Sequence, residues 1–330
     1  VWIEPSARHH TSREILAQED HILTWAIDHQ LDPPTPSTTV AVDGLDLMQA
    51  EAARAVAGDD RLVLVVGPAG AGKTRMLGAA VSDLTAHGRS VFGLAPTAKA
   101  ARILETNTAM RCDTVAKLLH EHTRPDRPPH PDWQLPVGAT VIVDEAGMLA
   151  TRDLHHLTRL SDHHHWRLAL VGDHHQLYAV GRGGMFAELC ATGRTIELEQ
   201  IHRFRHEWEA AASLKLRHGD PTGLQPYLDH DRVHAAPFAE HCEAIARTWT
   251  DARDRGEHLA ITTTTNDHVD TINTTVQARR LIAGQLDRDY LDLDHHRLYA
   301  GDVITTRRNE RLLRTCTGDS VRNRDYWTID

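Results

Sequence analysis

The sequence contains few cysteines, and none stands in a pattern that indicates a disulfide framework or a zinc site. The four, Cys112, Cys190, Cys242 and Cys316, lie far apart and form no C-x-x-C pair. No apolar run approaches the ~20 residues of a membrane span, and the first residues carry no basic and apolar signal peptide. We therefore expect a protein with no membrane segment, with unpaired thiols and with a cytoplasmic location.

Metal-binding spacings are also absent, although histidine is abundant. The chain has 25 histidines, including a run from His163 to His165 and the pair His174 and His175. It has no H-E-x-x-H segment and no histidine paired with cysteine at ligand spacing. The runs leave a metal site open as an interpretation, but the spacing favours scattered surface histidines.

The chain has 330 residues and no initiator methionine, and we expect it to be a piece of a longer protein. Its length is enough for about two domains. The net charge of −10 argues against a non-specific polyanion binder, but this charge is uneven. Residues 1–60 hold 3 basic and 11 acidic residues, whereas residues 307–324 hold 6 arginines and 2 acids. Any binding of nucleic acid would therefore depend on local grooves.

Short apolar segments alternate with amphipathic ones, which predicts an α/β fold on a parallel sheet with right-handed crossovers. Helices are predicted over residues 12–30, with Ser12 as N-cap, and over 46–57, 73–87, 97–106, 113–122, 151–160, 183–192, 206–218, 238–255 and 267–283. Strands are predicted over 61–66, 90–95, 140–143, 167–171 and 258–263, and short strands with turns at 301–302 and 317–319 over 302–329. A Pro-rich linker is predicted over 32–37 and a polar loop over 123–137.

One segment matches the phosphate-binding loop G-x-x-x-x-G-K-S/T. It consists of Gly67, Pro68, Ala69, Gly70, Ala71, Gly72, Lys73 and Thr74. A strand is predicted before it and a helix after it, which is the context that the motif requires. Backbone N–H groups of the glycine loop can curl round a phosphate, and the helix N-terminus adds positive potential. We expect Lys73 to contact the β- and γ-phosphates and the Thr74 hydroxyl to contact Mg²⁺.

A pair of acids follows another predicted strand, because residues 140–143 run directly into Asp144 and Glu145. Ligands of open parallel sheets bind at the carboxyl ends of the strands, where the glycine loop also lies. Asp144 is predicted to hold Mg²⁺, mostly through water. Glu145 is predicted to orient and polarise the attacking water.

A third strand end carries a glutamine. The strand predicted over 167–171 leads into Gly172, Asp173 and, three residues later, Gln176. A neutral amide can accept a hydrogen bond from water and donate one to a γ-phosphate oxygen. Gln176 is therefore predicted to report the state of the phosphate.

The order of these elements resembles that of superfamily 1 DNA helicases, in which a phosphate loop, Asp-Glu and Gly-Asp-x-x-Gln-Leu follow one another. The resemblance is greatest to the RecD-like group, and within it to the helicase portion of conjugative relaxases of the TraA/TrwC type. It covers residue 40 to the C-terminus and, more weakly, residues 10–30. It implies an ATP-dependent helicase motor with Mg²⁺ that travels 5′ to 3′.

The same resemblance implies a division of the chain into four parts. An N-terminal helix and linker occupy residues 1–40, and a RecA-like P-loop NTPase domain occupies 41–195. A partial second RecA-like domain follows over 196–300. The start of a small β-barrel-like insertion occupies 301–330.

Two further nucleotide contacts come from the resemblance alone. Gln49, upstream of the phosphate loop, matches the glutamine that reads adenine in the family. The segment from Glu199 to Arg205 resembles the motif that supplies an arginine to the γ-phosphate, with Arg203 as first choice and Arg205 as reserve. A guanidinium suits this role because its planar fork grips phosphate oxygens and stays charged. A structural ion pair of Arg203 is the alternative.

The resemblance also implies contacts to the DNA backbone. Thr97 and Lys99 match one backbone-contacting motif of the family. Thr114 matches a phosphate-contacting threonine in a Thr-Ile-His segment, although this sequence has Ala116 where histidine is usual.

Arg307 and Arg308 lie in a stretch that resembles the entry to the insertion that guides single-stranded DNA. An arginine-rich entry suits a polyanion that is held by its backbone. Solvated loop arginines are the alternative.

The last motifs of the family, including a second phosphate-contacting arginine, do not occur in the sequence. We therefore expect the chain to bind ATP, to hydrolyse it slowly or not at all by itself, and not to unwind DNA. Expected partners are single-stranded DNA, other conjugative-transfer proteins and the rest of the polypeptide. Three alternatives stay open: a non-catalytic DNA-binding remnant, a free-standing RecD-like repair helicase, and another type of P-loop ATPase.

Overall fold

The computed structural model describes residues 12–30, 33–176, 179, 181–293, 296–308, 310–315, 318, 320, 321, 323 and 325–329. Sequence predictions that involve Asp32, Cys316, Thr317, Asp319, Arg322 and Arg324 lie outside these residues. Contacts divide the chain into two compact units, residues 1–229 and 230–330. The domain boundaries expected at residues 40, 195 and 300 stay predictions.

The first unit alternates helices with strands. Its helices are α1 (Arg13–His29), α2 (Leu47–Ala57), α3 (Lys73–Ala86), α4 (Ala98–Thr108), α5 (Val115–His122), α6 (Thr151–His164), α7 (Met185–Thr192), α8 (Glu207–Arg217) and α9 (Gln225–Asp229). Its strands are β1 (Leu62–Val66), β2 (Val91–Ala95), β3 (Cys112–Thr114), β4 (Thr140–Val143), β5 (Arg167–Gly172) and β6 (Thr195–Glu197).

Within the described part of this unit, six strands form one sheet in the order β3-β2-β4-β5-β1-β6. Every neighbouring pair is parallel, and the interior strand β1 pairs with β5 so that Leu64 lies opposite Leu170. Because the strands are parallel, their carboxyl ends lie along one edge. The predicted α/β class and parallel sheet are confirmed.

The sheet is covered on both faces, and β1 shows why. Its residues are all buried, with Leu62, Leu64 and Val66 in one apolar cluster and Val63 and Val65 in the other. Successive side chains of a strand point to opposite faces. A continuous β-branched and leucine run therefore fills two cores at once, which is typical of a parallel sheet between two helical layers.

Helix α1 belongs to one of these layers. Ile22 and Trp25 are buried in the core together with residues of α6 and α7, and the Trp25 indole N–H donates to Asp162 Oδ1 at 2.8 Å. The helix predicted over 12–30 is confirmed, and the Ser12 side chain accepts from the Ile15 backbone N–H as its N-cap. Residues 13–29 of the acidic N-terminal segment thus contribute packed structure to the first unit.

Two edge strands were not predicted. Residues 112–114 form β3, so the helix expected from residue 113 begins only at Val115. Residues 195–197 form β6 and pair with β1, so the parallel sheet continues past residue 195. Both strands have three residues and are only partly buried, which gives them no apolar run to detect.

The second unit contains α10 (Phe238–Asp254), α11 (Asn266–Ile282), β7 (Tyr290–Leu293), β8 (His296–Tyr299), β9 (Val303–Thr305), β10 (Glu310–Arg314), β11 (Ser320–Val321) and β12 (Tyr326–Thr328). The strands pair antiparallel in twos: β7 with β8, β9 with β12 and β10 with β11. The short strands expected after residue 302 are confirmed. The strand expected over 258–263 is wrong, because these residues have no ladder partner and are mostly exposed.

Candidate nucleotide-binding site

The phosphate loop joins β1 to α3 in a strand–loop–helix arrangement. The Gly67 backbone N–H donates to the Gly172 carbonyl at 3.0 Å, which fixes the loop to the end of β5. Gly72 precedes α3 in a left-handed conformation, with φ of 76°, and gives the helix no side-chain cap. The first N–H groups of α3 are therefore left to an anion, which this end of a helix favours.

Glycine is required at two positions of the loop. Both Gly70 and Gly72 have positive φ, at 86° and 76°. A Cβ on Gly70 would lie 2.5 Å from Cβ of Arg203, and a Cβ on Gly72 would lie 2.4 Å from Nε2 of Gln49. Neighbouring segments thus approach the loop more closely than any side chain would allow.

Lys73 is folded over the loop that it follows. Its Nζ donates to the Gly67 carbonyl at 2.8 Å and to the Pro68 carbonyl at 3.4 Å. Thr74 comes next, in the first turn of α3 and only partly buried. Lys73, the predicted phosphate contact, and Thr74, the predicted Mg²⁺ contact, therefore both lie at the positively polarised N-terminus of α3.

The acid pair lies at the end of β4, on the same sheet edge. Burial and the neighbouring Glu145 raise the pKa of Asp144 to about 6, although Lys73 opposes the shift. The Glu145 backbone N–H donates to Asp144 Oδ1 at 2.9 Å. Glu145 itself has φ of 54°, a left-handed conformation that costs energy for a residue with a Cβ. The strand end therefore carries two successive acids, one with a raised pKa and one in a left-handed backbone conformation.

The glutamine turn after β5 is organised by Asp173. This carboxylate accepts from the Gln176 amide Nε2 at 3.0 Å, from the His175 backbone N–H at 3.0 Å and from the Arg217 guanidinium at 2.8 Å. Burial alone would raise the pKa of Asp173, but the hydrogen bonds from Arg217, His175 and Gln176 lower it below its usual range. The turn is thus built around an ionised, buried acid.

The segment with Arg203 runs beside the phosphate loop. The Leu198 backbone N–H donates to the Val66 carbonyl at 2.8 Å, and the His202 backbone N–H donates to the Gly70 carbonyl at 2.9 Å. Arg203 follows directly and has an exposed side chain. The structure therefore brings the predicted arginine next to the loop, in the same unit.

Gln49 also lies against the loop, but protein groups engage its amide. Nε2 donates to the Ala71 carbonyl at 2.9 Å, and Oε1 accepts from the Asp46 backbone N–H at 3.2 Å. Asp46 accepts in return from the Gln49 backbone N–H, so the two residues form a capping box at the start of α2. The adenine contact of Gln49 stays a prediction.

The predicted DNA contacts fall in both units. Thr97 and Thr114 are the N-caps of α4 and α5, and their hydroxyls accept from backbone N–H groups at 3.2 Å. Lys99 is exposed in the first turn of α4. Arg307 and Arg308 are exposed in the second unit, after β9. The roles of these residues on DNA stay predictions.

Two residues of the site were not found by sequence reasoning. Arg217 pairs with Asp173 from 44 residues further along the chain. His202 places Nε2 at 3.0 Å from Asp46 Oδ2, beside the Gln49 cap. A sequence signal existed for His202, which lies in the segment from Glu199 to Arg205 that resembles a family motif.

Many of the described histidines are exposed, and a few histidine rings and cysteine thiols contribute to packing. In the described residues no group of three or more His, Cys, Asp or Glu side chains is placed to hold a metal ion. The His164 ring instead stacks on Trp166 at 4.7 Å between centroids. Cys112, Cys190 and Cys242 are free thiols, and burial raises the pKa of Cys112 and of Cys190 to about 12. None of the helices described is both long and apolar enough to cross a bilayer.

A glycine loop between β1 and α3, an acid pair after β4 and a glutamine turn after β5 meet at one edge of a parallel sheet, and together they define a P-loop nucleotide-binding domain. Residues 44–237 match the family described as AAA domain, AAA_30. The chain belongs to this family of RecD-like superfamily 1 helicase domains. The resemblance inferred from the motifs is confirmed.

Similar curated proteins are conjugal transfer proteins. TraA of Rhizobium radiobacter is 30% identical over 264 residues, which cover 78% of this chain and 23% of that protein. TraA of Agrobacterium fabrum is 26% identical over 307 residues, covering 88% of this chain and 26% of that protein. The chain thus spans about a quarter of the length of these relatives.

Solved structures of Pif1 helicases are also similar. The Pif1 helicase from Candida albicans has a TM-score of 0.46 and 16% identity, covering 87% of this chain and 69% of that one. Bacteroides sp Pif1 in complex with ADP-AlF4 has a TM-score of 0.44 and 16% identity, covering 86% and 69%.

Proposed function

We propose that this chain is the ATP-binding and ATP-hydrolysing motor portion of a DNA helicase. This helicase moves 5′ to 3′ on single-stranded DNA and is part of a conjugative relaxase. The observation that carries the proposal is the meeting of the phosphate loop, the acid pair and the glutamine turn at one sheet edge. The similarity to TraA proteins supports the link to conjugation. The proposed location is the cytoplasm, whose reducing conditions would keep the described thiols free.

In the proposed site, each strand end has one task. The backbone N–H groups from Gly67 to Thr74 hold the phosphates, and Lys73 exchanges its carbonyl partners for β- and γ-phosphate oxygens. Glu145 orients and polarises the attacking water, and Gln176 contacts the γ-phosphate. Arg203, exposed beside Gly70, adds positive charge where negative charge develops.

The donor set of the acid pair fits a magnesium ion. Asp144 has a raised pKa because it is buried next to Glu145, so a nearby divalent cation would stabilise its ionised form. Thr74 and Asp144 would hold Mg²⁺, and the bound ion would neutralise charge on the β- and γ-phosphates.

We further propose that Gln49 contacts the adenine. Both of its amide atoms are engaged within the protein, so the side chain would have to exchange the Ala71 carbonyl for the base. On the DNA side, Thr97, Lys99 and Thr114 would contact the backbone, together with Arg307 and Arg308. Other transfer proteins and the rest of the polypeptide are the proposed partners.

The experiment is an ATPase assay with and without single-stranded DNA, on this chain and on a longer version of the polypeptide. Lys73→Ala is the inactive control, because it removes the phosphate-binding ammonium. We expect DNA to stimulate hydrolysis by the longer version and not by this chain alone.

Each other result contradicts a stated part of the proposal. Lack of stimulation in the longer version would contradict a helicase motor. Stimulation of the short chain would contradict the view that further motifs are essential. Nucleotide binding without hydrolysis in either version would favour a non-catalytic DNA-binding remnant.

A further inference from the structure

Asp173 is the centre of a small polar cluster that includes one of the proposed phosphate contacts, Gln176. The cluster consists of Asp173, Gln176, Arg217 and the His175 backbone N–H. Asp173 is only 3% exposed and has its carboxylate oxygens occupied from several sides. One oxygen accepts from the amide of Gln176, the glutamine predicted to meet the γ-phosphate. The orientation of Gln176 therefore depends on where this carboxylate is held.

Arg217 binds that carboxylate through two guanidinium nitrogens, Nε and Nη2. Nε lies 3.2 and 3.1 Å from the two oxygens of Asp173, and Nη2 lies 2.8 Å from Oδ1. The arginine side chain is 16% exposed and that of Asp173 is 1% exposed, so water screens the pair weakly. Two parallel N–H donors fix the plane of a carboxylate as well as its charge. A lysine could supply the charge without the plane.

The position of Arg217 in the fold gives the ion pair a second consequence. It is the last residue of α8, the helix that follows the Arg203 segment. That segment is fixed at its start by Leu198 on Val66 and by His202 on Gly70. The ion pair fixes the far end of α8 to the turn after β5. The glutamine turn and the Arg203 segment are thus tied to one another within the first unit.

We propose that Arg217 is a positioning residue that holds Asp173, and through it the amide of Gln176, in the orientation needed to recognise a γ-phosphate. This inference rests on the proposed function of the site. Without the guanidinium, Asp173 would lose its principal partner and the Gln176 amide would lose its fixed anchor. Recognition of the third phosphate should then weaken, while contacts to the first two phosphates stay intact.

The test is the affinity ratio between a non-hydrolysable ATP analogue and ADP, measured by calorimetry with Mg²⁺ on the full 330-residue chain. We expect the wild type to prefer the triphosphate. Arg217→Gln should lower this preference by about tenfold, a typical coupling between linked groups, with ADP affinity unchanged. Arg217→Lys should give an intermediate ratio. Arg255→Ala, which breaks an exposed ion pair with Glu257, is the matched control and should change nothing.

A double variant separates positioning from general structural support. Gln176→Ala should lower the ratio as Arg217→Gln does, and the two changes together should be no worse than Gln176→Ala alone, because they act on one contact. Additive losses would overturn the inference, as would an unchanged ratio in a folded Arg217 variant. If Arg217→Gln does not fold, Arg217→Lys decides by the same criterion.

The inference and the proposed function fail in different ways. A wild type that binds neither nucleotide overturns the proposed function and the inference with it. A wild type that binds both nucleotides equally leaves a nucleotide site but overturns the role of Gln176 and of Arg217. A preference for the triphosphate that Arg217 variants retain overturns the inference alone.

Discussion

The two units of the chain bury their apolar residues to different degrees. In the first unit the interior strands β1, β4 and β5 are buried along their whole length. In the second unit β7 and β9 are exposed along theirs, and Leu312 in β10 is 91% exposed. Isolated two-stranded pairs are marginal, whereas a sheet covered on both faces is stable. The first unit is therefore built on a continuous apolar core, whereas the described strands of the second unit bury little apolar surface, so specific polar contacts should matter more there.

The largest expected effect concerns one such contact in the second unit. Arg280 is buried and donates to Asp302 Oδ1 at 3.1 Å and to the Gly301 carbonyl at 2.8 Å. Arg280→Ala leaves the buried Asp302 carboxylate without its cationic partner, with only Gln277 and the Tyr299 backbone N–H still donating to Oδ2, which should cost about 3–5 kcal/mol. Hydrogen exchange should then accelerate in α11 and not in β1. Equal protection of α11 in the variant and the wild type would contradict the dependence of this unit on the ion pair.

The second prediction compares the same substitution, leucine to alanine, in the two units. Leu64 in β1 is 1% exposed, so Leu64→Ala should lower the free energy of unfolding by about 2–5 kcal/mol. The matched change Leu312→Ala removes an exposed side chain and should stay within about 0.5 kcal/mol. Urea unfolding followed by circular dichroism measures both. Similar losses in the two variants would remove the contrast between the units.

The third prediction concerns a strained position within the stable unit. The pKa of Asp144 is about 6 in the folded protein and near 3.8 without its environment. The folded state therefore binds this proton more tightly, and stability falls as pH rises between these two values. Asp144→Asn should stabilise the nucleotide-free protein by about 1–3 kcal/mol at neutral pH.

The pH dependence of this gain is its check. The advantage of Asp144→Asn over the wild type should shrink as the pH of the urea titration falls from 7.5 to about 4, because wild-type Asp144 is then protonated in the folded state. A gain that does not change with pH would point to a cause other than the carboxylate charge.

The smallest effect compares two equivalent helix caps. Ser12 caps α1 in the first unit and Thr265 caps α11 in the second, each accepting from a backbone N–H at 3.2 Å. Replacing either by alanine should cost about 1 kcal/mol. Hydrogen exchange of the first turn measures the loss. If Ser12→Ala leaves exchange unchanged while Thr265→Ala accelerates it, packing against the core, and not the cap, stabilises the first turn of α1.

Sequence reasoning succeeded where burial follows a strong pattern. The runs before Gly67, Asp144 and Gly172 are apolar and lie between helices, so β1, β4 and β5 and their shared edge could be predicted. The predicted strand over 258–263 had the same appearance. It has no ladder partner in the described residues, and a strand pattern without a neighbouring strand leaves its backbone groups unpaired.

The candidate site was predictable for the residues that carry motifs, and not for those that support them. The Arg217–Asp173 pair joins residues 44 apart, and no local spacing encodes such a contact. The engagement of Gln49 by Asp46 and Ala71 likewise arises from tertiary packing of α2 against the loop.

The central claim is that the loop from Gly67 to Thr74 binds a nucleotide phosphate chain. Calorimetric titration of the chain with Mg²⁺ and a non-hydrolysable ATP analogue tests it, with Lys73→Ala as the variant and the exposed Lys215→Ala as its control. We predict binding by the wild type and by Lys215→Ala, and an affinity lower by about 10- to 100-fold for Lys73→Ala, since charge-assisted hydrogen bonds are lost. Equal affinity of Lys73→Ala and the wild type, or no binding by either, would contradict the claim.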